Sequence, residues 1–359
     1  MDQNEYISEI LGLSSTPAFR VRDGVVCQVS HAAAGMQIRE GTDVLSLIHT
    51  GAEEYRQFSQ GRLFLTLEIN GVSFSAFVFA AEDSHIFVVE EPSDAAELQA
   101  FALAAKELRN PLSGLIAMAD RLLPSISREN AAAQDEISGF NRCLFQLLRV
   151  VGNMSDAGRY ASVGSTRLAQ HDICALAYEI FNSAAAKCKE ANIALSFSVP
   201  KKPVYTLADP DLLERAIYNL LSNAMKFTPE GGQILAQLVQ RGNRLYLTVQ
   251  DNGSGIDPAL RGSVFQMYRR KPTIEDSRYG IGLGMVLVQS AAAVHGGAVL
   301  VEQPRDCGSR FTMTIAIRAS SQPGVSSPIL RVDYAGERDH ALVELSDALP
   351  FRVYDPDRL

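Results

Sequence analysis

Two stretches of the chain repeat apolar residues at alternating intervals of four and three. Phe101, Ala105, Leu108, Leu112, Leu115, Ala119 and Leu122 form the first, which runs to Pro124. Ile137, Phe140, Leu144, Leu147, Val151 and Met154 form the second. Such spacing holds one stripe on one side of an α-helix and predicts two long helices joined by the polar connection SISRENAAA. Helices joined so briefly fold back as an antiparallel hairpin. One hairpin has too little surface to cover both seams, so a four-helix bundle built by two copies is expected over 93–160.

On either side the period drops to two. In residues 1–92, Asp23-Gly24 and Asn70-Gly71 stand between alternating apolar runs and predict two hairpins. The run HIFVV (85–89) predicts a further strand, and 30–60 is expected to be helical in part. This unit resembles a PAS-type sensory module in the order and size of its elements, without a cofactor motif. A generic α+β dimerisation domain fits the same pattern. Residues 165–318 predict helices near 172–190, 210–227 and 284–295, with strands near 194–199, 233–240, 244–250, 298–303 and 310–317. That mixture implies an α+β sandwich. In the tail, 319–359, LRVDYAG and ALVEL are expected to form two edge strands.

Composition narrows the class. The 359 residues are 47% hydrophobic and 21% charged, the balance of a folded multidomain protein. With 33 basic and 41 acidic residues the net charge is −8, which argues against direct nucleic-acid binding. No run approaches the roughly 18 apolar residues of a membrane span, and the start MDQNEYISEI lacks a signal pattern. Five scattered cysteines, odd in number and never spaced C-x-x-C, argue against a metal or disulfide framework, and a cytoplasmic location is expected.

The candidate chemistry begins in LLERAIYNLLSNAMKFTPEGG. Asp209-Pro210 reads as a helix start, and Asn219, Asn223 and Lys226 then share one face. Amides can hold Mg²⁺ and phosphate oxygens without adding charge, and an ammonium attracts phosphate. A solvated polar stripe is the better account of these three side chains taken alone. Further on, TVQDNGSGID sets Asp251 at a strand end before Gly253 and Gly255, where a carboxylate can accept from an adenine amino group. RYGIGLGMVLVQS then supplies Gly280, Gly282 and Gly284 ahead of a helix, a place where backbone N–H groups cradle phosphate.

Together, in this order and spacing, these motifs resemble the ATP-binding domain of sensor histidine kinases, within the gyrase, Hsp90, kinase and MutL superfamily. The resemblance covers about 97–318. It implies that Asn223 holds Mg²⁺ with Asn219 in support, and that Lys226 contacts phosphate. Phe227 would line the adenine pocket and Asp251 would read the adenine amino group. Gly253 and Gly255 would shape that loop, and the 280–284 glycines would close on the phosphates. VFQMYRRK (264–271) resembles the family's phenylalanine box, and 266–283 its lid. Ile281 stands where a small hydroxyl residue is usual. The implied cofactors are ATP and Mg²⁺. The implied partners are a second kinase chain, as homodimer or heterodimer, and a response-regulator receiver domain.

AAKELRNPL resembles the family's phosphoacceptor box. Glu107, Leu108, Arg109, Asn110, Pro111 and Leu112 match, but Lys106 stands where the family has His. A neutral imidazole is nucleophilic near pH 7, whereas a lysine-type amine is protonated there. None of the six histidines lies in either bundle helix, and His295, before Gly296-Gly297, is expected to cap a helix. By resemblance Glu107 would take the proton of the missing imidazole, and Asn110 would orient water in the phosphatase reaction.

Three readings follow. The chain is an active kinase that phosphorylates a partner or a non-standard residue. Or it is a degenerate sensor kinase that binds Mg-ATP and acts as a nucleotide-regulated phosphatase, heterodimer partner or receiver scaffold. Or it is another superfamily ATPase, such as an anti-sigma type serine kinase. The 106–112 box favours the first two, and the missing nucleophile favours the second.

Overall fold

The computed structural model describes residues 14–81, 83–90, 95–129, 133–161, 168–256, 283–304, 308–318 and 338–357. Both expected N-terminal hairpins form. β1 (Ala18–Arg22) pairs with β2 (Val25–Val29), and β4 (Arg62–Ile69) with β5 (Val72–Ala81). Asp23, Gly24, Asn70 and Gly71 all have positive φ, the geometry that matches a two-residue turn to the twist of its strands. Between the hairpins lie α1 (His31–Gly35), β3 (Ile48–Thr50) and α2 (Ala52–Gln57), and β6 (Ser84–Val89) follows. The antiparallel order is β2-β1-β6-β5-β4, with β3 beside β4.

The second unit contains β7 (Ala169–Asp172), α5 (Ile173–Glu190), β8 (Ala194–Ser198), β9 (Tyr205–Ala208) and α6 (Pro210–Phe227). It continues with β10 (Gln233–Arg241), β11 (Arg244–Asp251), α7 (Leu283–Val294), β12 (Val299–Glu302) and β13 (Arg310–Ala316). Strand β11 alternates half-buried and buried residues without a break, because one face lies under α5–α7. The short β7–β9 pair is an addition that the sequence pattern did not predict.

The two units share one sheet. Strand β12 pairs antiparallel with β4, placing Val299 opposite Phe64 and Leu300 opposite Leu63, so all the described strands except β7 and β9 form one 11-stranded sheet. Glycine makes the join possible. Gly61 has φ +87°, and a Cβ there would lie 2.7 Å from the Val301 carbonyl oxygen.

Helix α3 (Ala95–Glu129) and α4 (Gln134–Ala161) pack as the expected hairpin, with Arg109 Nη2 donating to Ser155 Oγ at 3.2 Å. Two expectations need correction. The first helix does not end at Pro124 but continues to Glu129, so SISRE is helical. Proline removes one backbone bond, and the ladder around it is supported by burial of Ala119 and Leu123 against the core. The expected stripe also divides in two. Ala105, Leu112 and Ala119, with Ile137, Leu144 and Val151, are buried, whereas Leu108, Leu115, Leu122, Phe140 and Leu147 are exposed. Residues seven apart share a face, and only one of the two rows meets the neighbouring helix.

In the C-terminal tail, ALVEL is not a strand. It lies in helix α8 (His340–Glu344), because Asp339 accepts from the Ala341 N–H and caps the turn. LRVDYAG lies outside the described residues. From α8 the chain continues to a single 3-10 turn at Phe351–Tyr354. Ala341, Leu342, Leu345, Leu349 and Tyr354 are buried in the core shared by α4, α5 and α6. Tyr354 packs edge-on to Phe145 with ring centroids 5.0 Å apart, and its hydroxyl donates to the Leu342 carbonyl.

Candidate functional site

Helix α6 organises the site. The Asp209 carboxylate accepts from the Leu212 N–H at 3.0 Å, and Pro210 occupies the first turn, where a missing N–H costs nothing. His295, fully buried at the end of α7, locks this start in place. Its Nε2 accepts from the Asp209 N–H at 3.0 Å and its Nδ1 faces the Ala291 carbonyl at 2.7 Å. That pattern requires a neutral ring with the proton on Nδ1. Burial holds the His295 pKa below its ordinary value, opposed only in part by Ala291 and Asp209. The expected capping role thus takes the form of a bridge between two helices.

Of the predicted face, Asn219 is the most enclosed, at 1% exposure. Its Nδ2 donates to the Arg215 carbonyl, one turn back, and its Oδ1 accepts from Arg149 Nη2 of α4 at 3.0 Å. Half-buried Asn223 donates from Nδ2 to Met285 Sδ of α7 at 2.8 Å. Lys226, its side chain 8% exposed, forms an ion pair with Asp347 at 2.8 Å. Gly284 brings the start of α7 against this face, since a Cβ there would stand 2.4 Å from Asn219 Oδ1. Gly280, Gly282, Ile281, the 264–271 box and nearly all of the 266–283 segment lie outside the described residues.

Asp251 closes the other end. It is 3% exposed, and its Oδ1 accepts from the Gly253 N–H at 2.9 Å and the Ser309 N–H at 3.2 Å. Oδ2 accepts from Ser309 Oγ. A carboxylate offers about four lone-pair directions, so three donors fix its orientation and leave one free. The loop that follows abuts α6 closely enough that a Cβ on Gly253 would lie 2.1 Å from the Phe227 carbonyl oxygen. Gly255 has φ +72° beside Gln303. The structure therefore brings the α6 face, Phe227, the Asp251 loop and Gly284 together.

Lys106, Glu107 and Asn110 stand apart from that cluster. All three are exposed on α3 and make no hydrogen bond or ion pair among the described residues. Their box nevertheless lies level with the α6 contact on the hairpin. Arg109 touches Ser155, while Arg215 of α6 reaches Asn153 and Asp156, each at 2.8 Å.

The sequence analysis missed several members of the site. Ser309 follows Gly308 in GSRF, a small pair before a strand, which is too common a pattern to single it out. Buried Arg149, Arg215 and Glu344 form a charge network with half-buried Asp347, and its members come from separate parts of the chain. Arg215 Nη1 pairs with Glu344 at 2.9 Å, and Arg149 pairs with both Glu344 and Asp347. Burial alone would raise the Asp347 pKa, but the adjacent Arg149 and Lys226 cations outweigh it and hold the carboxyl below its usual range.

Residues 208–319 match the family described as histidine kinase-, DNA gyrase B-, and HSP90-like ATPase. The chain is 26% identical over 281 residues to the circadian input-output histidine kinase CikA of Synechococcus elongatus, covering 73% of this chain and 37% of that one. It is 28% identical over 232 residues to hybrid signal transduction histidine kinase D of Dictyostelium discoideum, covering 62% and 15%. The chain thus spans well under half of either relative. Among solved structures, full-length ShkA in complex with AMPPNP is 27% identical at TM-score 0.46, covering 61% of this chain and 46% of that one. Among the described residues no helix is long and apolar enough to cross a membrane. The 208–319 match falls on the unit that carries the α6 face and Asp251, so this unit matches the histidine kinase-, DNA gyrase B-, and HSP90-like ATPase family, and the chain as a whole is similar to sensor histidine kinases.

Proposed function

We propose that this protein binds Mg-ATP in the 168–318 unit and serves two-component signalling as a sensor kinase without autophosphorylation at residue 106. The observation that carries the reading is the Asp251 carboxylate. It is buried, oriented by Ser309 and Gly253, and retains one acceptor direction suited to an adenine amino group. Phe227 adjoins that loop. Lys226 already holds a carboxylate oxygen at 2.8 Å, which supports a phosphate contact at its ammonium. Asn223 would supply a neutral oxygen to Mg²⁺, with Asn219 fixing the helix face beside it. Bound Mg²⁺ would screen the phosphates and orient them for transfer.

The remaining roles extend the same reading. The strand order of residues 18–89 suits a PAS-like sensor, and its edge strand β4 offers a route to the nucleotide unit through the shared sheet. The exposed row of Leu108, Leu115 and Leu122 suits burial against a second copy or a related kinase in a four-helix bundle. Exposed Asn110, one turn beyond Lys106, suits water positioning in phosphatase action on a receiver domain, with scaffolding of that partner as the non-catalytic form. A cytoplasmic location accords with this reading.

Isothermal titration with Mg-AMPPNP tests the nucleotide site. The expected result is one Mg²⁺-dependent site, lost in the Asn223→Ala, Asp251→Asn double variant. Equal binding by both proteins would falsify the assignment.

A further inference from the structure

We propose that the C-terminal segment 338–357 is an intramolecular latch, which seats the Asp347 carboxylate at Lys226 in place of a nucleotide phosphate and ties the nucleotide unit to the hairpin. This inference rests on the Mg-ATP reading of α6.

Competition follows from the geometry of the ammonium. Lys226 Nζ meets Asp347 Oδ2 at 2.8 Å, and the same oxygen is paired with Arg149. A phosphate oxygen approaching Lys226 needs the N–H direction that this carboxylate takes, and two anionic oxygens repel at that distance. The carboxylate is a monoanion, whereas a triphosphate brings several charges and its metal ion. Nucleotide can therefore displace the latch at a cost in affinity, which makes the device a gate and not a permanent block.

The segment is also built to span two bodies. On the hairpin side, Arg142 of α4 donates to the Ser346 and Asp347 carbonyls at 3.0 and 3.2 Å, and Asn141 donates to the Tyr354 carbonyl at 3.0 Å. On the nucleotide side, Asp339 pairs with Lys187 of α5 at 2.8 Å and Glu344 pairs with Arg215 of α6 at 2.9 Å. Any movement of the nucleotide unit relative to the hairpin must break these bridges, so the segment opposes it. Tyr354 anchors the segment on Phe145, away from the α6 face, so the latch can be loosened without altering a nucleotide contact.

The test compares the full-length wild type with Asp347→Asn and Tyr354→Ala. Mg-AMPPNP affinity is measured by titration, and amide hydrogen exchange over 338–357 is followed with and without the nucleotide. Each variant should bind about tenfold tighter than wild type. In the wild type, saturating nucleotide should accelerate exchange over 338–357. Tyr354→Ala retains every charge near Lys226, so it carries the test if Asp347→Asn fails to fold. Equal affinities, with the segment still protected in the nucleotide complex, would overturn the latch and leave the nucleotide site standing. No binding by any of the three proteins, with 338–357 already exchanging freely in the variants, would instead remove the nucleotide reading and the latch with it.

Discussion

The ammonium of Lys226 and the carboxylate of Asp347 meet at 2.8 Å across 121 residues of chain. The contact joins the last turn of α6 to the C-terminal segment, and Arg149 of the hairpin shares its oxygen. One carboxylate thus links the hairpin, the nucleotide unit and the tail. Its neighbour Glu344 performs the same service one turn earlier, between Arg149 and Arg215.

Glu344 is 2% exposed, so replacing it leaves two buried guanidinium groups with less compensation. Glu344→Ala should cost about 3–5 kcal/mol, the range for breaking a buried pair by removing one partner. Glu344→Gln should recover part of that loss through hydrogen bonding. Urea unfolding of the three proteins checks this, and a change below 1 kcal/mol in the alanine variant would refute the network's role.

Acid should weaken the protein through His295. Its pKa is lower in the folded chain than the ordinary 6.5, so the unfolded chain binds the extra proton first as pH falls. Stability from this group is complete above about pH 6.5 and declines from there down to the folded pKa. The slope is at most about 1.4 kcal/mol per pH unit. Urea midpoints at pH 7.5 and 5.5 should separate more in the wild type than in His295→Gln, which cannot titrate. Identical separations would count against the buried neutral ring.

Self-association should depend on the outer row of the hairpin. Leu115 and Leu147 are 47% and 49% exposed, and Leu115→Asp with Leu147→Asp should convert a mass near twice 39.0 kDa to the single-chain value. Leu112→Asp is a contrasting case, since that side chain is buried inside the hairpin and its replacement should unfold α3 and α4. Light scattering and circular dichroism distinguish the two effects. A wild type that stays monomeric at tens of micromolar would eliminate the bundle.

Lys106→His should restore a nucleophile at an exposed position beside Glu107. Incubation with ATP should then yield acid-labile, base-stable phosphate at residue 106, detected by mass spectrometry. The yield should be greater when Asp347→Asn is added, because the latch no longer opposes nucleotide binding. Phosphate on wild-type Lys106 would contradict the degenerate reading. A silent double variant would show that the nucleotide unit does not transfer phosphate to this position.

Local chemistry was legible wherever it depends on neighbours in the chain. The Asp-Gly and Asn-Gly turns, the Asp209-Pro210 helix start and the alternation of β11 each follow from short-range sterics and hydrogen bonding. Their elements appear within a residue or two of expectation. The amide face of α6 and the Asp251 loop were equally visible, since residue types at helical spacing and a glycine turn after a strand are local patterns. The bundle stripe was read only halfway. Alternating fours and threes identify an apolar band, but not which row faces the partner helix: Leu112 ended buried and Leu108, one turn earlier, exposed.

What the sequence by itself determined, then, was the order of elements and the chemistry each can present, because backbone propensity and side-chain period act over a few residues. Tertiary structure alone decided how those elements meet. It joined β4 to β12 through a contact that Gly61 permits, set Ser309 against Asp251, and turned a tail expected to be strand into a capped helix carrying Asp347 to Lys226. Edge pairing and buried charge matching are satisfied by whichever complementary group the fold brings near. A linear chain does not state that distance.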